Sequence, residues 1–285
     1  MDITSLTNPK IKHAVKLRQR PHRDESGQML IEGYRECRRA LDYGCIPEIL
    51  FYCELLYLKN LNEPALVDEC RKKGALCLSC TVPVFEKIAY RERPEGLLMV
   101  APQLRTSLAD LRLPGNALIV VAESIEKPGN LGTVLRSADA AGVNAVIVCD
   151  RCTDIHNPNV VRASTGTIFS VPVIETTSSE ALAFLKKHKF HILAATPHAE
   201  HLHSGVDLTR NTAIALGTEQ YGLTEKWMNQ ADLRVRIPML GLADSLNVAS
   251  AATILLFEAV RQRISSGAIA VPEAEPWHGE AEYDA

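Results

Sequence analysis

Residues 237–250 of this chain read Ile237-Pro-Met-Leu-Gly-Leu-Ala-Asp-Ser-Leu-Asn-Val-Ala-Ser250. This segment predicts a short strand and a tight loop that carry Ser245 and Asn247 to the start of an apolar helix. Either side chain supplies an oxygen that can cap the first free N–H groups of that helix. Apolar residues then recur at helical spacing, at Val248, Ala251, Ala252, Leu255 and Ala259. The segment alone therefore predicts a capped core helix, whose first residues offer a place to hold a ligand.

Two earlier segments show the same alternation of strand, glycine-containing loop and helix. Residues 117–122 form an apolar run that predicts a strand, and the loop of residues 123–132 leads into an amphipathic helix. Residues 213–222 repeat the pattern, with Gly217 and Gly222 on either side of Glu219. Alternating strands and helices predict an α/β sheet, and such sheets bind ligands in the loops at the carboxyl ends of their strands.

Three segments together resemble a known family. PGNLGTVLRSADAAGV, ALGTEQYGL and IPMLGLADSLNVASAATILLFE, in that order, resemble the three motifs of the SpoU branch of the SPOUT methyltransferases. The resemblance covers about residues 110–265, and residues 160–172 between the motifs also follow the family pattern. It implies methyl transfer from S-adenosylmethionine to a ribose 2′-hydroxyl of RNA. It also implies an α/β fold with a deep trefoil knot, a homodimer and no metal.

The same resemblance implies a set of polar residues around the reacting ribose. These are Asn130, Arg136, Glu219, Ser245 and Asn247. The guanidinium pKa lies above about 12, so we expect Arg136 to orient the 2′-oxygen and stabilise its developing charge, and not to act as a base. Asn130 precedes a predicted helix, where its side chain is equally suited to capping. Glu219 is expected either to shape its loop or to bind the acceptor.

A second set is implied to bind the methyl donor, largely through backbone groups. Its members are Thr196, Leu216, Gly217, Ile237 and Leu246. Backbone N–H and C=O groups present fixed donors and acceptors to an adenine, and a glycine lets the chain approach without a Cβ atom. The G-x-G-x-x-G and G-x-x-x-x-G-K-[ST] fingerprints of other nucleotide sites do not occur in the sequence.

The sequence predicts four regions. Residues 1–25 form a basic arm, and residues 26–107 form a small α/β domain that resembles a ribosomal-protein-like RNA-binding domain. A polar linker at residues 101–110 leads to the methyltransferase domain of residues 108–265, and residues 266–285 form an acidic tail predicted to be disordered.

The net charge of −3 does not indicate a nucleic-acid-binding protein, but its distribution along the chain does. The first 23 residues hold six cations against the single acid Asp2, and the last 15 hold five acids and no Lys or Arg. We expect the arm to contact RNA phosphates through Lys10, Lys12, Lys16, Arg18, Arg20 and Arg23. An ordinary charged surface helix is the alternative.

Composition also suggests a compartment and argues against a metal site. The absence of a long apolar run and of a signal-peptide core predicts a cytoplasmic protein that does not use a membrane, with its eight cysteines reduced. Cys77 with Cys80 and Cys149 with Cys152 have the C-x-x-C spacing of zinc ligands, but their apolar neighbours predict buried thiols. A cluster of histidines, His198, His201 and His203, is read as a polar or RNA-facing loop.

Two alternatives to a ribosomal RNA methyltransferase stay open at this point. The first is a methyltransferase that acts on transfer RNA, since the N-terminal domain favours ribosomal RNA without naming the nucleotide. The second is a non-catalytic RNA-binding protein with the same fold. Such a protein should have lost the arginine or the Ser-Leu-Asn tripeptide, whereas this chain keeps Arg136, Ser245, Leu246 and Asn247.

Overall fold

A computed structural model describes residues 3–58, 62–150, 153–271 and 273 of the chain. Its longer helices and its strands, in chain order, are α1 Pro9–Lys16, α2 Arg20–Ser26, β1 Gln28–Glu32, α3 Tyr34–Asp42, β2 Ile49–Tyr52, α4 Glu63–Lys72, β3 Leu76–Ser79, α5 Val82–Ile88, β4 Leu97–Pro102, β5 Leu118–Glu123, α6 Pro128–Ala140, β6 Ala145–Cys149, α7 Pro158–Ala163, β7 Val173–Thr176, α8 Ser178–Lys187, β8 His191–Ala195, β9 His201–Leu202, β10 Thr212–Leu216, α9 Glu225–Gln230, β11 Leu233–Arg236 and α10 Val248–Ser265. Most of the predicted acidic tail, residues 272 and 274–285, lies outside the described residues.

The described residues divide into two compact units. Unit 1 holds the residues up to 104, residues 156–169 and residue 273, and unit 2 holds residues 105–155 and 170–271. Residues 156–169, which contain α7, therefore pack with unit 1, although the sequence analysis placed them in the second domain. The cause is local, because Val161 of α7 is buried in the core that β1 and α3 build.

Unit 1 is a three-layer structure. Its sheet has the order β1-β4-β2-β3, in which β4 runs antiparallel to both neighbours and β3 parallel to β2. Successive strand residues point to opposite faces, so Met29 and Ile31 contribute to one core and Leu30 to the other. The first core is shared with α3 and α4, and the second with α1 and α5. The predicted small α/β domain is thus present.

The predicted basic arm is folded onto unit 1. Ile11, Ala14 and Leu17 are fully buried in the core that also contains Phe85 and Ile88 of α5. Their spacing of three residues places them on one face of a helical turn, so the arm buries an apolar stripe and exposes the Lys residues between. Lys10, Lys12 and Lys16 are the exposed members of the predicted phosphate-binding set.

The arginines of the arm differ from its lysines. Arg23 is buried, and its Nη1 donates to the Leu17 carbonyl at 2.7 Å, so its inclusion among the phosphate-binding residues is wrong. Arg18 donates to the carbonyl oxygens of Lys87, at 2.7 Å, and Ala89 at the end of α5. Arg20 pairs with Asp24 at 3.3 Å. Within this set of cations, the guanidinium groups hold the helices in place.

The predicted linker starts later than expected. Ala101 and Pro102 are the last residues of β4, and Ala101 pairs with Met29 in the ladder to β1. Residues 108–110 form a single turn of 3₁₀-helix, closed by a capping box between Ser107 and Asp110. Leu108 then packs against the core of unit 2. The apolar run that starts at residue 97 therefore forms strand β4 of unit 1, and the polar residues expected of a linker begin only at Gln103.

Unit 2 is built on a parallel sheet. Among the described residues its strand order is β7-β6-β5-β10-β8-β11-β9, and every neighbouring pair is parallel. From β5 the chain winds outward through β6 and β7, and then returns to the other side of β5 with β8 and β10. This reversal leaves a crevice at the carboxyl ends of β5 and β10. The order confirms the predicted α/β class, and the knot implied by the resemblance stays a prediction.

Arg263 near the end of α10 ties that helix to the sheet. It is buried, and its guanidinium donates to four carbonyl oxygens at 2.6–3.2 Å, those of Asn116, Ala117, Leu208 and Arg210. Asn116 and Ala117 immediately precede β5, and Leu208 and Arg210 lie a few residues before β10. Burial lowers the pKa of this guanidinium from its ordinary value. One side chain thus satisfies backbone groups from two segments that are distant in sequence.

Replacing Arg263 by Ala is expected to destabilise the protein by about 3 kcal/mol, since several buried carbonyls lose their donor at once. Thermal or urea unfolding of the whole chain measures the change. Arg261→Ala is the matched control, because that exposed arginine pairs with Glu258 on its own helix and we expect it to change little. Equal unfolding midpoints for the two variants would show that the Arg263 bonds contribute nothing.

Candidate active site

Three loops meet at the carboxyl edge of the unit 2 sheet. The loop after β5 leads into α6, the loop after β10 leads into α9, and the loop after β11 leads into α10. β5 and β10 are neighbours in the sheet, paired from Leu118↔Thr212 to Ala122↔Leu216. The sheet therefore brings the three motif segments to one edge, as the sequence predicts.

Glu219 is the centre of a hydrogen-bonded cluster on these loops. Its carboxylate accepts from Lys127 Nζ at 2.5 Å, from Asn130 Nδ2 at 2.8 Å and from Asn247 Nδ2 at 2.6 Å. Asn247 Nδ2 also donates to Asn130 Oδ1 at 3.2 Å. Each partner comes from a different loop than Glu219, so this one carboxylate joins all three. We call Lys127, Asn130, Glu219 and Asn247 the Glu219 cluster.

The charge of the Glu219 cluster is fixed at neutral pH. Hydrogen bonds, chiefly from Lys127 and then from Asn130, hold the pKa of Glu219 below its ordinary value. The same contact raises the pKa of Lys127. An acid whose pKa is lowered by folding stabilises the structure above its ordinary pKa, and that contribution disappears as the pH falls through the lowered value. The cluster is therefore intact across the neutral range.

The two asparagines have separate structural roles. Asn247 is the N-cap of α10, and its Oδ1 accepts from the Ala249 N–H at 3.0 Å, which confirms the predicted cap and leaves its Nδ2 free to bind Glu219. Asn130 lies inside the first turn of α6, which begins at Pro128, and not before it as the sequence analysis placed it. Its side chain does not cap α6; it binds Glu219 and Asn247.

Arg136 and Ser245 lie outside the Glu219 cluster. Arg136 is exposed on α6, two turns from its start, and within the described part of the chain no hydrogen bond or ion pair involves its guanidinium. It lies six positions after Asn130, which is about 9 Å along the helix axis and roughly 120° around it. Ser245 is exposed in the loop before α10, where its Oγ donates to Asp244 at 3.2 Å. The structure thus joins three of the five predicted polar residues.

A cavity of about 340 Å³ lies beside the Glu219 cluster. All five residues predicted to bind the methyl donor line it, namely Thr196, Leu216, Gly217, Ile237 and Leu246. Its apolar wall comes from Val235, Val248 and Leu255, and Ser245 and Glu219 are on its polar side. A volume at the lower end of the usual range for small-molecule sites, with apolar walls and a few polar groups, suits one compact organic ligand.

Gly217 has a structural role in addition to the expected one. A Cβ atom there would lie 2.1–2.3 Å from backbone atoms of Gly222 and Leu223. The Thr218 and Gly222 N–H groups each donate to the other residue's carbonyl at 3.0 Å, which folds the chain back on itself. Close packing of its own loop, which carries Glu219, therefore requires a glycine here, and its expected contact with the donor stays a prediction.

Glu123 holds the other end of this loop. It is buried at the carboxyl end of β5, and its carboxylate accepts from Thr224 N–H at 2.8 Å and Thr224 Oγ1 at 2.7 Å. Ser178 Oγ is 3.3 Å from the same carboxylate, and it accepts from the fully buried Trp227 Nε1 at 2.8 Å. The loop of residues 217–224 is thus fixed at Gly217 by packing and at Thr224 by a buried carboxylate.

We expect Glu123→Gln to weaken donor binding by about tenfold to a hundredfold, because hydrogen bonds to a buried charged group contribute about 1.5–3 kcal/mol. Calorimetric titration with S-adenosylmethionine measures it. Glu225→Gln is the matched control, since that residue is an exposed acid in the first turn of α9. Unchanged affinity in Glu123→Gln would show that the loop keeps its shape without this anchor.

Lys127 and Glu123 are functional candidates that no motif of the sequence indicated. Lys127 is 69% exposed and lies next to a proline at a helix start, where a lysine carries no recognisable pattern. Glu123 ends an apolar run that is otherwise buried, and a lone acid at the carboxyl end of a predicted central strand was an available signal.

The cysteines and histidines that suggested a metal have individual environments in the structure. Among the described residues, no group of three or more His, Cys, Asp or Glu side chains could hold a metal ion. Burial raises the pKa of the Cys149 thiol to about 12, and Cys152, its C-x-x-C partner, lies outside the described residues. His201 belongs to β9, and His203 Nδ1 is 3.3 Å from the Arg236 carbonyl.

Two family models match the chain, one for each end. The model described as the SpoU rRNA Methylase family matches residues 117–257. The model described as the MRM3-like substrate binding domain matches residues 8–99. The first contains every residue of the Glu219 cluster and of the cavity's predicted donor set. The second falls within unit 1.

Individual relatives match over nearly the whole chain. A 23S rRNA (uridine(2479)-2′-O)-methyltransferase of Streptomyces viridochromogenes is 32% identical over 265 residues, which is 90% of each chain. The crystal structure of an RNA 2′-O ribose methyltransferase is 43% identical, covers 93% of this chain and all of its own, and has a TM-score of 0.81. An AdoMet-bound rRNA methyltransferase of Sinorhizobium meliloti is 30% identical, with 92% and 97% coverage and a TM-score of 0.84.

Proposed function

Because the chain belongs to the SpoU rRNA methylase family, we propose that it transfers a methyl group from S-adenosylmethionine to a ribose 2′-hydroxyl of ribosomal RNA. The observation that carries the proposal is the cavity at the carboxyl edge of the unit 2 sheet. It is lined by all five residues expected at a donor site, and the Glu219 cluster lies beside it. Relatives that are named for 2′-O-methyl transfer to 23S rRNA match 90% of the chain and so extend over both units.

The residues of the cavity fit the proposed donor. Leu216, Ile237 and Leu246 line it, and we assign their backbone groups to the polar edge of the adenine. Val248 and Leu255 add apolar surface suited to the ring. When bound, the sulfonium of S-adenosylmethionine supplies an electrophilic methyl group. Most of the acceleration of such a displacement comes from positioning the acceptor in line with the methyl group, about 3 Å away. The loop that carries Glu219 is held at both ends, which preserves that geometry.

The polar residues act on the acceptor. Asn247 and Asn130 are held by Glu219, and Ser245 is on the cavity wall, so these groups are placed to orient a ribose entering from solvent. We assign to Arg136 the stabilisation of the charge that grows on the 2′-oxygen as its proton leaves. Because the Arg136 guanidinium is exposed and unengaged within the described chain, it is available for an RNA oxygen or phosphate.

The exposed apolar residues of unit 2 support a homodimer. Leu240 and Leu242 are almost fully exposed in the loop before α10, and Ile254 and Phe257 are exposed on α10 itself. Apolar side chains gathered on one segment mark a protein interface when they exceed what a monomer exposes. Sedimentation of the purified protein tests this, with a dimer expected for the parent chain and a shift towards monomer for Leu242→Glu.

The exposed lysines of α1 belong to the same proposal. Replacing Lys10, Lys12 and Lys16 by Ala should weaken RNA binding and reduce its dependence on salt, because each phosphate contact adds about 0.7 to 0.9 to the slope of log affinity against log salt concentration. Donor affinity, which is set in unit 2, should stay at the parent value. An unchanged RNA affinity and salt slope would return α1 to an ordinary charged surface.

We place the enzyme in the cytoplasm, since the bacterial relatives are named for 23S rRNA and that RNA is made and assembled there. In the described part of the chain, no helix has the length and hydropathy needed to cross a membrane.

A direct experiment tests the function. S-adenosylmethionine at saturation should raise the melting temperature of the full chain, because a ligand that binds only the folded form stabilises it. With tritiated donor, the protein should label ribosomal RNA, and mapping of 2′-O-methyl groups with and without the gene should locate one ribose. An unmoved melting curve would reject the donor site. Label in transfer RNA alone would support the alternative substrate, and donor binding without label in any RNA would support a protein that has lost the reaction.

A further inference from the structure

Unit 1 contains a cleft that the sequence analysis did not identify. It has a volume of about 1320 Å³ and is bordered by α3, by the start of α4, by the chain between α5 and β4, and by α7. Six arginines line it: Arg35, Arg38, Arg39, Arg91, Arg93 and Arg162. Five of them lie within residues 8–99, the part of the chain matched as a substrate-binding domain. Arg162 lies outside that part, in the segment of residues 156–169. The cleft therefore combines residues from two distant parts of the sequence, but all of them belong to unit 1.

Three of the arginines hold the cleft together. Arg91 pairs with the buried Glu36 at 2.9 Å and with Glu95. Arg38 pairs with Asp42 at 2.8 Å and Glu69 at 2.5 Å. Arg39 donates to the carbonyl and the hydroxyl of Thr165, at 2.7 and 3.0 Å, and so ties α3 to the segment that carries Arg162.

The acids of the cleft are mostly neutralised by these pairs. Glu36, Glu95 and Asp42 have arginine partners, and Glu63 is buried. Glu92 is an exposed acid at the rim. Arg93 and Arg162 are exposed as well, so these two guanidinium groups outnumber the exposed Glu92 carboxylate at the mouth of the cleft.

The chain around Arg93 is held firmly. The buried Glu32 accepts from the Tyr90 N–H at 2.6 Å and from the Arg91 N–H at 3.3 Å. On the opposite wall Asn159 accepts from Arg162 at 3.2 Å and donates to the Tyr90 hydroxyl at 2.9 Å. The guanidinium groups are thus presented on fixed backbone, which lowers the entropy lost when they bind a ligand.

From these contacts we infer that the cleft binds a segment of the RNA substrate, with Arg93 and Arg162 contacting its phosphates. Guanidinium groups match phosphate oxygens in bidentate geometry. The cleft exceeds the roughly 300–1,000 Å³ of a small-molecule site, which favours a polymer over a nucleotide or free phosphate. The exposed Tyr90 also lines the cleft, in the segment that carries Arg93, where an unpaired base can stack on its aromatic ring. This assignment rests on the proposed function only for the identity of the RNA.

The test is the double variant Arg93→Ala/Arg162→Ala in the full chain, with binding to transcribed 23S rRNA fragments measured over a range of salt concentrations. Two lost phosphate contacts should lower the magnitude of the salt slope by about 1.4 to 1.8, and weaken binding accordingly. S-adenosylmethionine affinity and melting temperature should equal those of the parent. The matched control is Arg112→Ala/Arg261→Ala, which removes the same charge from exposed positions of unit 2.

The outcomes separate this inference from the proposed function. An equal salt slope in the parent and the Arg93/Arg162 variant, or a parent chain that binds no RNA, would overturn it. Inorganic phosphate or adenosine monophosphate that displaces RNA at micromolar concentration would also overturn it, in favour of a small-ligand site. If the variant loses RNA affinity while the parent methylates no RNA, the cleft stands and the proposed reaction fails.

Discussion

Arg136→Ala is expected to lower the rate of methyl transfer by about 10²–10³, the typical loss when one group that stabilises transition-state charge is removed. Arg136 is exposed, lies outside the donor cavity and has no partner within the described chain, so its removal should disturb neither folding nor donor binding. The affinity for S-adenosylmethionine should therefore stay at the parent value. Single-turnover transfer to rRNA, with donor affinity measured separately, distinguishes the two effects.

Two companion variants define what Arg136 does. Arg136→Lys keeps the charge but loses the planar fork, so a partial recovery of rate would indicate that charge matters, and no recovery that bidentate orientation matters. Arg112→Ala, at an exposed position of the same unit, controls for the change in net charge. Near-parent turnover in Arg136→Ala would remove this residue from the mechanism.

The sequence was most informative where the pattern is local. Apolar runs of five or six residues followed by glycine-containing loops predicted β5 and β10 and the position of the site, because strand burial and turn chemistry are read from neighbouring residues. The cap by Asn247 was readable for the same reason. The family motifs then placed five donor residues that the structure gathers around one cavity.

The contacts between loops could not be read from the sequence. Glu219 binds Asn130 and Asn247, which are 89 and 28 residues away along the chain, and no local pattern announces such a pair. The composite cleft of unit 1 was missed for the same reason, since Arg93 and Arg162 are brought together by tertiary packing of α7.

The prediction for the basic arm, residues 1–25, was partly wrong for a different reason. Its charges were counted, but the buried stripe of Ile11, Ala14 and Leu17 was left out, although its helical spacing was visible. A count of cations treats Arg23 and Lys12 alike, whereas burial separates a guanidinium that binds a backbone carbonyl from an ammonium that faces water. Periodicity must be considered before charge is assigned to a surface.

Gly217→Ala is expected to abolish donor binding, with an affinity loss of more than about a hundredfold, or about 2.7 kcal/mol. The added Cβ would lie 2.1–2.3 Å from backbone atoms of Gly222 and Leu223, which cannot rotate aside as a side chain can. The turn between Thr218 and Gly222 must open, and it carries Glu219 away from Asn130 and Asn247. Because the donor cavity and the polar cluster share this turn, methyl transfer should be lost as well.

Alanine substitutions at two other glycines provide comparisons for the donor affinity of Gly217→Ala. Gly205→Ala meets open space at an ordinary backbone conformation, so its donor affinity should equal that of the parent. Gly222 also has open space but a φ of +70°, so Gly222→Ala should cost about 1–2 kcal/mol from backbone strain alone. Calorimetric titration of the three variants gives the order. If Gly217→Ala binds S-adenosylmethionine as tightly as Gly205→Ala, the closed turn is not what shapes the donor site, and the Glu219 cluster must be held by the Glu123 anchor at Thr224 instead.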